Sequence, residues 1–215
     1  MTKTSARSKI VRGAKRAHYD RDKLNQVLDA GIICHLAYNY EGAPIIIPTG
    51  YVRENDTIYI HGSLKNRMMN SILDQKEACV SVTHLDGLVL ARSAFNHSFN
   101  YRSAVVFGKP FKLEDTKEKD RVLALLMENI LPGRWDESRV PTEKELDSTM
   151  VIGINIEEFS VKIREGGPVD DKKDYELDVW AGELPIVHQY QQPVPDAQMN
   201  KDLSIPKSVR NALKE

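Results

Sequence analysis

A strand that runs straight into a helix carries the residues best suited to binding an anion. Residues 58–60 (Ile-Tyr-Ile) have the side chains that strands favour, and Gly62 permits a sharp turn. We predict that Ser63 caps the following helix and that Lys65 and Arg67 lie in its first turn. Free N–H groups and the helix dipole attract anions there, whereas two cations oppose the dipole. This strand–helix corner, residues 58–67, therefore predicts a phosphate site, or else a solvated helix start with two surface cations.

Aromatic and histidine side chains near the corner could contact a planar ligand. Five aromatic residues fall in strands or at strand ends, where they either stack on a ligand or fill the core: Tyr51, Tyr59, Phe95, Phe99 and Tyr101. The histidines lack the spacing of a metal motif, so we predict no metal site, and His35 is interpreted as a sheet residue. Flavin mononucleotide (FMN) has the flat ring, polar chain and phosphate that suit this combination.

The elements that must position these residues read as mainly β with flanking helices. The apolar patterns predict helices at residues 20–31, 64–74 and 115–130, and strands at 32–38, 44–52, 57–61, 78–84, 88–91, 101–108, 150–156 and 159–163. The first three strands are joined by short turns, which indicates an antiparallel meander. Several short strands with few helices favour a small barrel or a closed antiparallel sheet.

Three segments divide the 215 residues. Residues 1–17 form a basic, flexible arm with six cations and no acid, residues 18–187 form the folded domain, and residues 188–215 form a polar tail. A short helix is expected from Pro206. The arm could contact a nucleic acid, a partner or an anionic lipid. Nucleic acid is the least supported partner, because no recognition helix or stacking platform accompanies the arm.

Composition bounds the class of protein. A chain with 41% apolar and 28% charged residues can bury a core without metals or disulfides, and a net charge of -1 creates no overall field for nucleic acid or membrane. No apolar run approaches the ~20 residues that span a bilayer. Cys34 and Cys79 are predicted as free thiols, which indicates a reducing compartment, and we expect a cytoplasmic protein.

Five pieces of the sequence, in order between residue 12 and about residue 187, resemble a known family. These are residues 21–31, 42–51, 58–67, 100–108 and 180–185. In this arrangement the chain is similar to the FMN-binding split-barrel proteins of the pyridoxamine-phosphate-oxidase-like superfamily, and most of all to the nitroimidazole-resistance branch. The resemblance implies a six-stranded antiparallel split β-barrel that forms a homodimer with FMN in the subunit interface.

The same resemblance implies a set of cofactor contacts. They are Pro48, Thr49, Gly50, Tyr51, His61, Gly62, Ser63, Lys65, Asn66 and Arg67, with Tyr101, Arg102, Ser103 and Trp180 from the partner subunit. Ser63, Lys65 and Arg67 would hold the phosphate. His61 is the candidate catalytic residue beside the ring, or else a structural residue at the strand end.

The implied function is an FMN-dependent oxidoreductase that acts on a small planar substrate, with a nicotinamide as a candidate electron donor. Vitamin B6 oxidation is disfavoured, because residues 170–186 lack the arginine and histidine pattern of that enzyme. The alternative is a flavin carrier or sensor without turnover, or a haem-binding protein that uses His61, His84 or His97 as its ligand.

Overall fold

A single antiparallel sheet organises the computed structural model, which describes residues 4–199 and 203–214. Its strands are β1 (Ala17–His18), β2 (Ile33–Tyr40), β3 (Ala43–Glu54), β4 (Thr57–Ser63), β5 (Ala78–Leu90), β6 (Ser98–Gly108), β7 (Pro110–Lys112), β8 (Thr149–Asn155), β9 (Glu158–Arg164) and β10 (Gly182–Pro185). Neighbouring strands follow the order β1-β9-β6-β5-β2-β3-β4-β8-β7, and β10 pairs with β5. The mainly β, antiparallel class is confirmed, with ten strands in the described part of the chain where six were expected.

Five α-helices flank the sheet in the part of the chain that the structure describes. They are α1 (Arg21–Asp29), α2 (Arg67–Leu73), α3 (Thr116–Ile130), α4 (Glu143–Ser148) and α5 (Lys207–Ala212). Aspartate caps begin two of them as the sequence predicts, because Asp20 accepts from the backbone N–H of Lys23 and Asp115 from that of Glu118, each at 2.9 Å. None of the described helices has the length and apolar character required to cross a membrane.

Strand β5 differs from its prediction. The sequence predicts two separate strands here, at residues 78–84 and 88–91, but β5 is continuous and accommodates an irregularity in its pairing with β6 between Leu85 and Gly87. A Cβ at Gly87 would lie 3.0 Å from the carbonyl oxygen of Leu184 in β10. Glycine is therefore needed there for the close approach of β10 and not for a turn.

Two apolar clusters lie on opposite faces of the sheet. The main core fills the inner face and includes the buried sides of α1 and α2. The second cluster lies on the outer face, where Val122 and Leu126 of α3 pack against Val52 of β3 and Val151 of β8. Helix α3 therefore covers only part of the outer face, and the rest of that face lies outside this cluster.

The basic N-terminal segment contacts the sheet, in contrast to the mobile arm expected from its composition. The carboxylate of Glu158 accepts from the Ser5 backbone N–H at 2.9 Å and from the Arg7 side chain at 2.7 Å. Arg7 also pairs with Glu77 and lies over the ring of Phe107, 4.3 Å from its centroid. These partners are distant in sequence, so composition alone could not predict the docking. Residues 1–3 lie outside the described residues.

Acid should release this N-terminal segment. Hydrogen bonds from Ser5, Ser8 and Arg7 lower the pKa of Glu158 to about 2, from 4.5. A lowered pKa stabilises the docked state above pH 4.5, and that stabilisation is lost as pH falls towards 2. We expect the protection of the amides of residues 4–18, taken relative to their intrinsic exchange rate at each pH, to fall in this window. Glu158→Gln should show the lower protection already at pH 6, whereas Glu114→Gln should not. Equal protection of the segment in Glu158→Gln and the wild type at pH 6 would contradict the assignment.

The C-terminal tail begins its helix where expected, since α5 starts directly after Pro206. Residues 188–199 contain neither helix nor strand, and residues 200–202 and 215 lie outside the described residues. Cys34 is buried and Cys79 half-buried, and both are free thiols as predicted. The cytoplasmic location inferred from them stays a prediction.

Candidate functional site

A cavity of about 320 Å³ opens on the outer face beside the end of β4. Strand β4 contributes His61, and α3 with the segment that follows it supplies an apolar lining: Leu123, Leu126, Met127, Ile130, Trp135 and Pro141. The volume is within the ~300–1,000 Å³ range of small-molecule sites. We call this space the His61 cavity.

His61 lines the cavity from the outward-facing side of β4 and is exposed to solvent in the single chain. Partial desolvation by the surrounding residues lowers the pKa of His61 below its ordinary value. The imidazole is therefore neutral at physiological pH, and the neutral form is the one that can ligate a metal ion. No cluster of three or more His, Cys, Asp or Glu side chains within residues 4–199 and 203–214 could hold a metal ion on its own.

The mouth of the cavity carries an ion pair. Arg139 binds Glu145 of α4 with both guanidinium nitrogens, at 2.8 and 2.9 Å. The hydrogen bonds from Arg139 and from Thr142 lower the pKa of Glu145 to about 2. Thr142 and Glu145 also form the capping box that begins α4, so this helix start and the ion pair position Arg139 at the rim.

Residues 131–141, which we call the roof segment, close the cavity above His61. Glu128 of α3 fixes the first part of this segment, because its carboxylate accepts from the backbone N–H of Gly133 at 2.7 Å and of Trp135 at 3.2 Å. The sequence predicted neither Trp135 nor Arg139 as a site residue, although both line the cavity. A lone tryptophan within a polar stretch that follows an apolar helix was the signal that could have identified them.

The strand–helix corner is built differently from the prediction. Asn66, not Ser63, caps α2, because its side-chain oxygen accepts from the backbone N–H of Met68 at 2.9 Å and of Met69 at 3.4 Å. Ser63 is the last residue of β4, and Lys65 precedes the helix. The amide side chain of Asn66 already satisfies these N–H groups, so the corner offers its exposed cations to an anion and not a bare helix N-terminus.

Lys65 and Arg67 both lie on the surface of the corner. The Arg67 guanidinium lies over the ring of Tyr40, 4.5 Å from its centroid, which is cation–π geometry. The hydroxyl oxygen of Ser63 accepts from the Lys65 backbone N–H at 3.2 Å. The corner thus holds two exposed cations of defined position without a carboxylate partner among the described ion pairs.

Strand register brings several of the predicted cofactor residues to the uncovered part of the outer face. Pro48 of β3 pairs with His35 of β2, and Ser103 of β6 pairs with Lys162 of β9. Paired residues point to the same side of an antiparallel sheet, as do residues two apart on one strand. Gly50 and Tyr101 therefore share this face with Pro48 and Ser103. His35, predicted as an ordinary sheet residue, is exposed on the same face.

Other predicted contacts are not presented there. Tyr51 is 1% exposed and its hydroxyl donates to the Leu28 carbonyl, so its side chain has no surface free for a cofactor. Thr49 pairs with buried Cys34 and points inward. Arg102 binds Asp86 through two hydrogen bonds at 2.8 and 3.0 Å.

Trp180 is 69% exposed just before β10, and a second chain could reach it there. Gly62 is the remaining predicted contact and lies between His61 and Ser63 in β4. A Cβ at this glycine would lie 3.1 Å from the Met69 side chain, so a larger residue would crowd α2.

Comparison with known proteins identifies the family. A family model described as pyridoxamine 5'-phosphate oxidase matches residues 20–163. The chain belongs to this family. Members of the family are split barrels, which confirms both the resemblance and the expected fold class. No curated protein matches the sequence.

Three solved structures illustrate the similarity within and beyond the family. The flavocytochrome Anf3 from Azotobacter vinelandii is 35% identical, with a TM-score of 0.90 over 96% of each chain. An FAD- and haem-binding protein from Mycobacterium smegmatis is 34% identical, with a TM-score of 0.87 over 92% of this chain and 97% of that one. A proposed 5-nitroimidazole resistance protein from Bacteroides thetaiotaomicron is 19% identical over 68% and 86% of the two chains, with a TM-score of 0.59, so it shares the fold alone.

Proposed function

We propose that the protein binds a flavin and a haem and transfers electrons between them. The observation that carries this proposal is the His61 cavity, which combines one neutral imidazole with an apolar lining and a rim arginine. Two structures that are 34% and 35% identical over almost the whole chain are named as an FAD- and haem-binding protein and a flavocytochrome.

The lining of the cavity suits a haem. An iron porphyrin is flat and mostly apolar, and it requires from the protein one or two axial ligands and contacts for its two carboxylates. His61 supplies a neutral nitrogen, Leu123 and Trp135 supply apolar contact, and Arg139 is a cation at the mouth. We propose that His61 would hold the haem iron, in place of the catalytic role beside the flavin that the resemblance implied for it.

The flavin is proposed to bind on the outer face between β3 and β6. Pro48, Gly50, Tyr101 and Ser103 present their backbone or side chains there, and Lys65 and Arg67 would hold phosphate at the corner. The resemblance predicts FMN, whereas the mycobacterial relative is named for FAD, and we favour FAD because that relative matches over 92% of this chain. The larger dinucleotide adds a second phosphate and an adenosine to the same contacts.

We further propose that a second copy of the chain covers the outer face. Ile33, Ile46 and Leu85 on this face are 55%, 66% and 41% exposed in one chain, which is a large apolar area to leave in water. Antiparallel sheets normally bury one face and solvate a polar one. A homodimer would bury this apolar face and bring Trp180 of one chain towards the flavin of the other.

When bound, the flavin supplies one- and two-electron chemistry and the haem supplies one-electron chemistry. The chain's own residues bind, orient and exclude water. Partial desolvation favours the neutral form of His61, and Glu128 and Glu145 fix the roof segment and Arg139 around the cavity. Because His61 and Gly50 lie on neighbouring strands of one face, the two proposed sites are adjacent.

Absorption spectroscopy tests the proposal. Purified protein mixed with haem should develop a Soret band at one haem per chain, and added FAD should bind with altered flavin bands. Mass analysis of released flavin distinguishes FAD from FMN. Anaerobic NADH or NADPH should then reduce the flavin before the haem. A protein that takes up neither group contradicts the proposal, whereas one that binds both without any reduction is a carrier or sensor.

Flavin retention should depend on the corner cations. We expect Lys65→Gln and Arg67→Gln each to weaken flavin binding by about 1–3 kcal/mol, the usual size of a lost charge-assisted contact. Lys76→Gln, an exposed lysine just after α2, is the matched control and should bind flavin as the wild type does. Fluorescence titration of apoprotein with flavin measures the affinities. Unchanged affinity in both corner variants would move the phosphate elsewhere on the outer face.

A further inference from the structure

Helix α5 is docked onto the roof segment of the His61 cavity by one side chain. Ser208 is 3% exposed, and its backbone N–H donates to one carboxylate oxygen of Glu137 at 3.1 Å. Its hydroxyl donates to the other carboxylate oxygen. Ser208 is thus buried and donates both of its hydrogen bonds to one carboxylate. This defined contact differs from the loose tail that the sequence predicts.

Glu137 belongs to the turns that carry the lining of the cavity. Its backbone N–H donates to Arg134 at 3.2 Å, and that of Ser138 donates to Trp135 at 3.1 Å. Trp135, Ser138 and Arg139 all line the cavity. Glu128 fixes the roof segment to α3 at its start and Glu145 binds Arg139 near its end, so the contact between Ser208 and Glu137 is a third attachment, placed between them.

The C-terminal segment also reaches the back wall of the cavity. A second space of about 340 Å³ lies between the end of α3 and the residues Tyr190, Asn211 and Ala212. Ile130 lines both this space and the His61 cavity. Movement of α5 away from the body would therefore release the middle of the roof segment, between its attachments to Glu128 and Glu145, and expose the far side of Ile130.

We propose that α5 is a latch on the roof segment and that the Ser208–Glu137 contact controls the opening of the His61 cavity. The hydrogen bonds from Ser208 lower the pKa of Glu137, with Arg134 at 3.7 Å as its nearby cation, so the acceptor is charged at neutral pH. The link to haem exchange rests on the proposed function, whereas the latch itself does not. The latch would let a cofactor or a small ligand enter without unfolding of the barrel.

Fluorescence of Trp135 tests the latch without any cofactor. The chain has two tryptophans, so a Trp180→Phe background leaves Trp135 as the only indole. In that background, Ser208→Ala should raise the quenching constant for acrylamide about twofold on haem-free full-length protein. Ser204→Ala, an exposed serine of the same tail, should leave it unchanged. Glu137→Gln should act in the same direction, and the double variant should not be additive, because both changes remove one contact.

Haem transfer to apomyoglobin gives the second readout. Ser208→Ala should speed transfer about tenfold, the factor that a lost charge-assisted hydrogen bond produces. Unchanged quenching in both Ser208→Ala and Glu137→Gln, with melting temperatures showing both folded, would overturn the latch. If the wild type takes up no haem, the proposed function fails, and the quenching of Trp135 still decides the latch.

Discussion

His61→Ala should leave the protein unable to hold haem at one group per chain. No other imidazole lines the cavity, and the apolar side chains around it offer no nitrogen to take its place. Methionine sulfur is the other soft donor present, on Met127, and one thioether is a weak substitute for imidazole. We expect the Soret band to lose intensity and shift to that of free haem, with flavin bands preserved.

Two controls separate a lost ligand from a lost fold. His97→Ala removes a ring whose Nδ1 lies 3.0 Å from the Ser93 carbonyl oxygen, outside the cavity lining, and should bind haem as the wild type does. Added imidazole should restore the Soret band of His61→Ala, because it fills the space left by the side chain. Unaltered haem binding in His61→Ala, or loss of binding in His97→Ala, would show that the cavity is not the haem site.

The pH range of haem binding adds a readout tied to His61. A lowered pKa keeps the ring neutral at pH values where a histidine with an unshifted pKa is protonated. Haem should therefore stay bound to a lower pH than it would on a histidine with an unshifted pKa, and dissociate on further acidification. Acid releases the haem because His61 can bind the iron only in its neutral form, and protonation competes with the metal.

The elements that could be predicted from sequence are those set by local patterns. The aspartate caps at Asp20 and Asp115, the helix after Pro206 and the alternation along β2 and β3 depend on residues close in sequence. The corner was found by the same logic, but its cap was misplaced by three residues. Asn66 competes with Ser63 for the same role, and only three-dimensional geometry decides which side chain reaches the N–H groups.

The rest of the site could not be predicted because its contacts are distant in sequence. The His61 cavity joins β4 to a segment more than seventy residues later, and the roof segment is held by Ser208 from the far end of the chain. Which of the predicted cofactor residues face outward could also be decided only from the register of the strands. Pro48 and Gly50 face outward and Thr49 and Tyr51 inward, and a shift of one residue would reverse that assignment.

Ile46→Asp should convert the protein into a monomer that has lost its flavin but not its fold. Ile46 is 66% exposed in one chain, so its replacement removes little from the core of that chain. In the proposed homodimer the same side chain is buried twice, once from each subunit. Losing two buried isoleucines should cost about 3–6 kcal/mol of dimerisation free energy, and desolvation of the two new carboxylates adds to this cost. The dimer should therefore be at least ~100-fold weaker.

The mass of the particle in solution and its flavin content measure this effect, with thermal unfolding to check the fold. Val194→Asp is the matched control, since Val194 is 92% exposed in the tail and the same charge there should change none of the three. A monomeric wild type would overturn the homodimer outright. An Ile46→Asp variant that stays dimeric with full flavin would place both the interface and the flavin off the outer face. Flavin loss without loss of the dimer would separate the two proposals, because Ile46 would then contact the cofactor and not the partner chain.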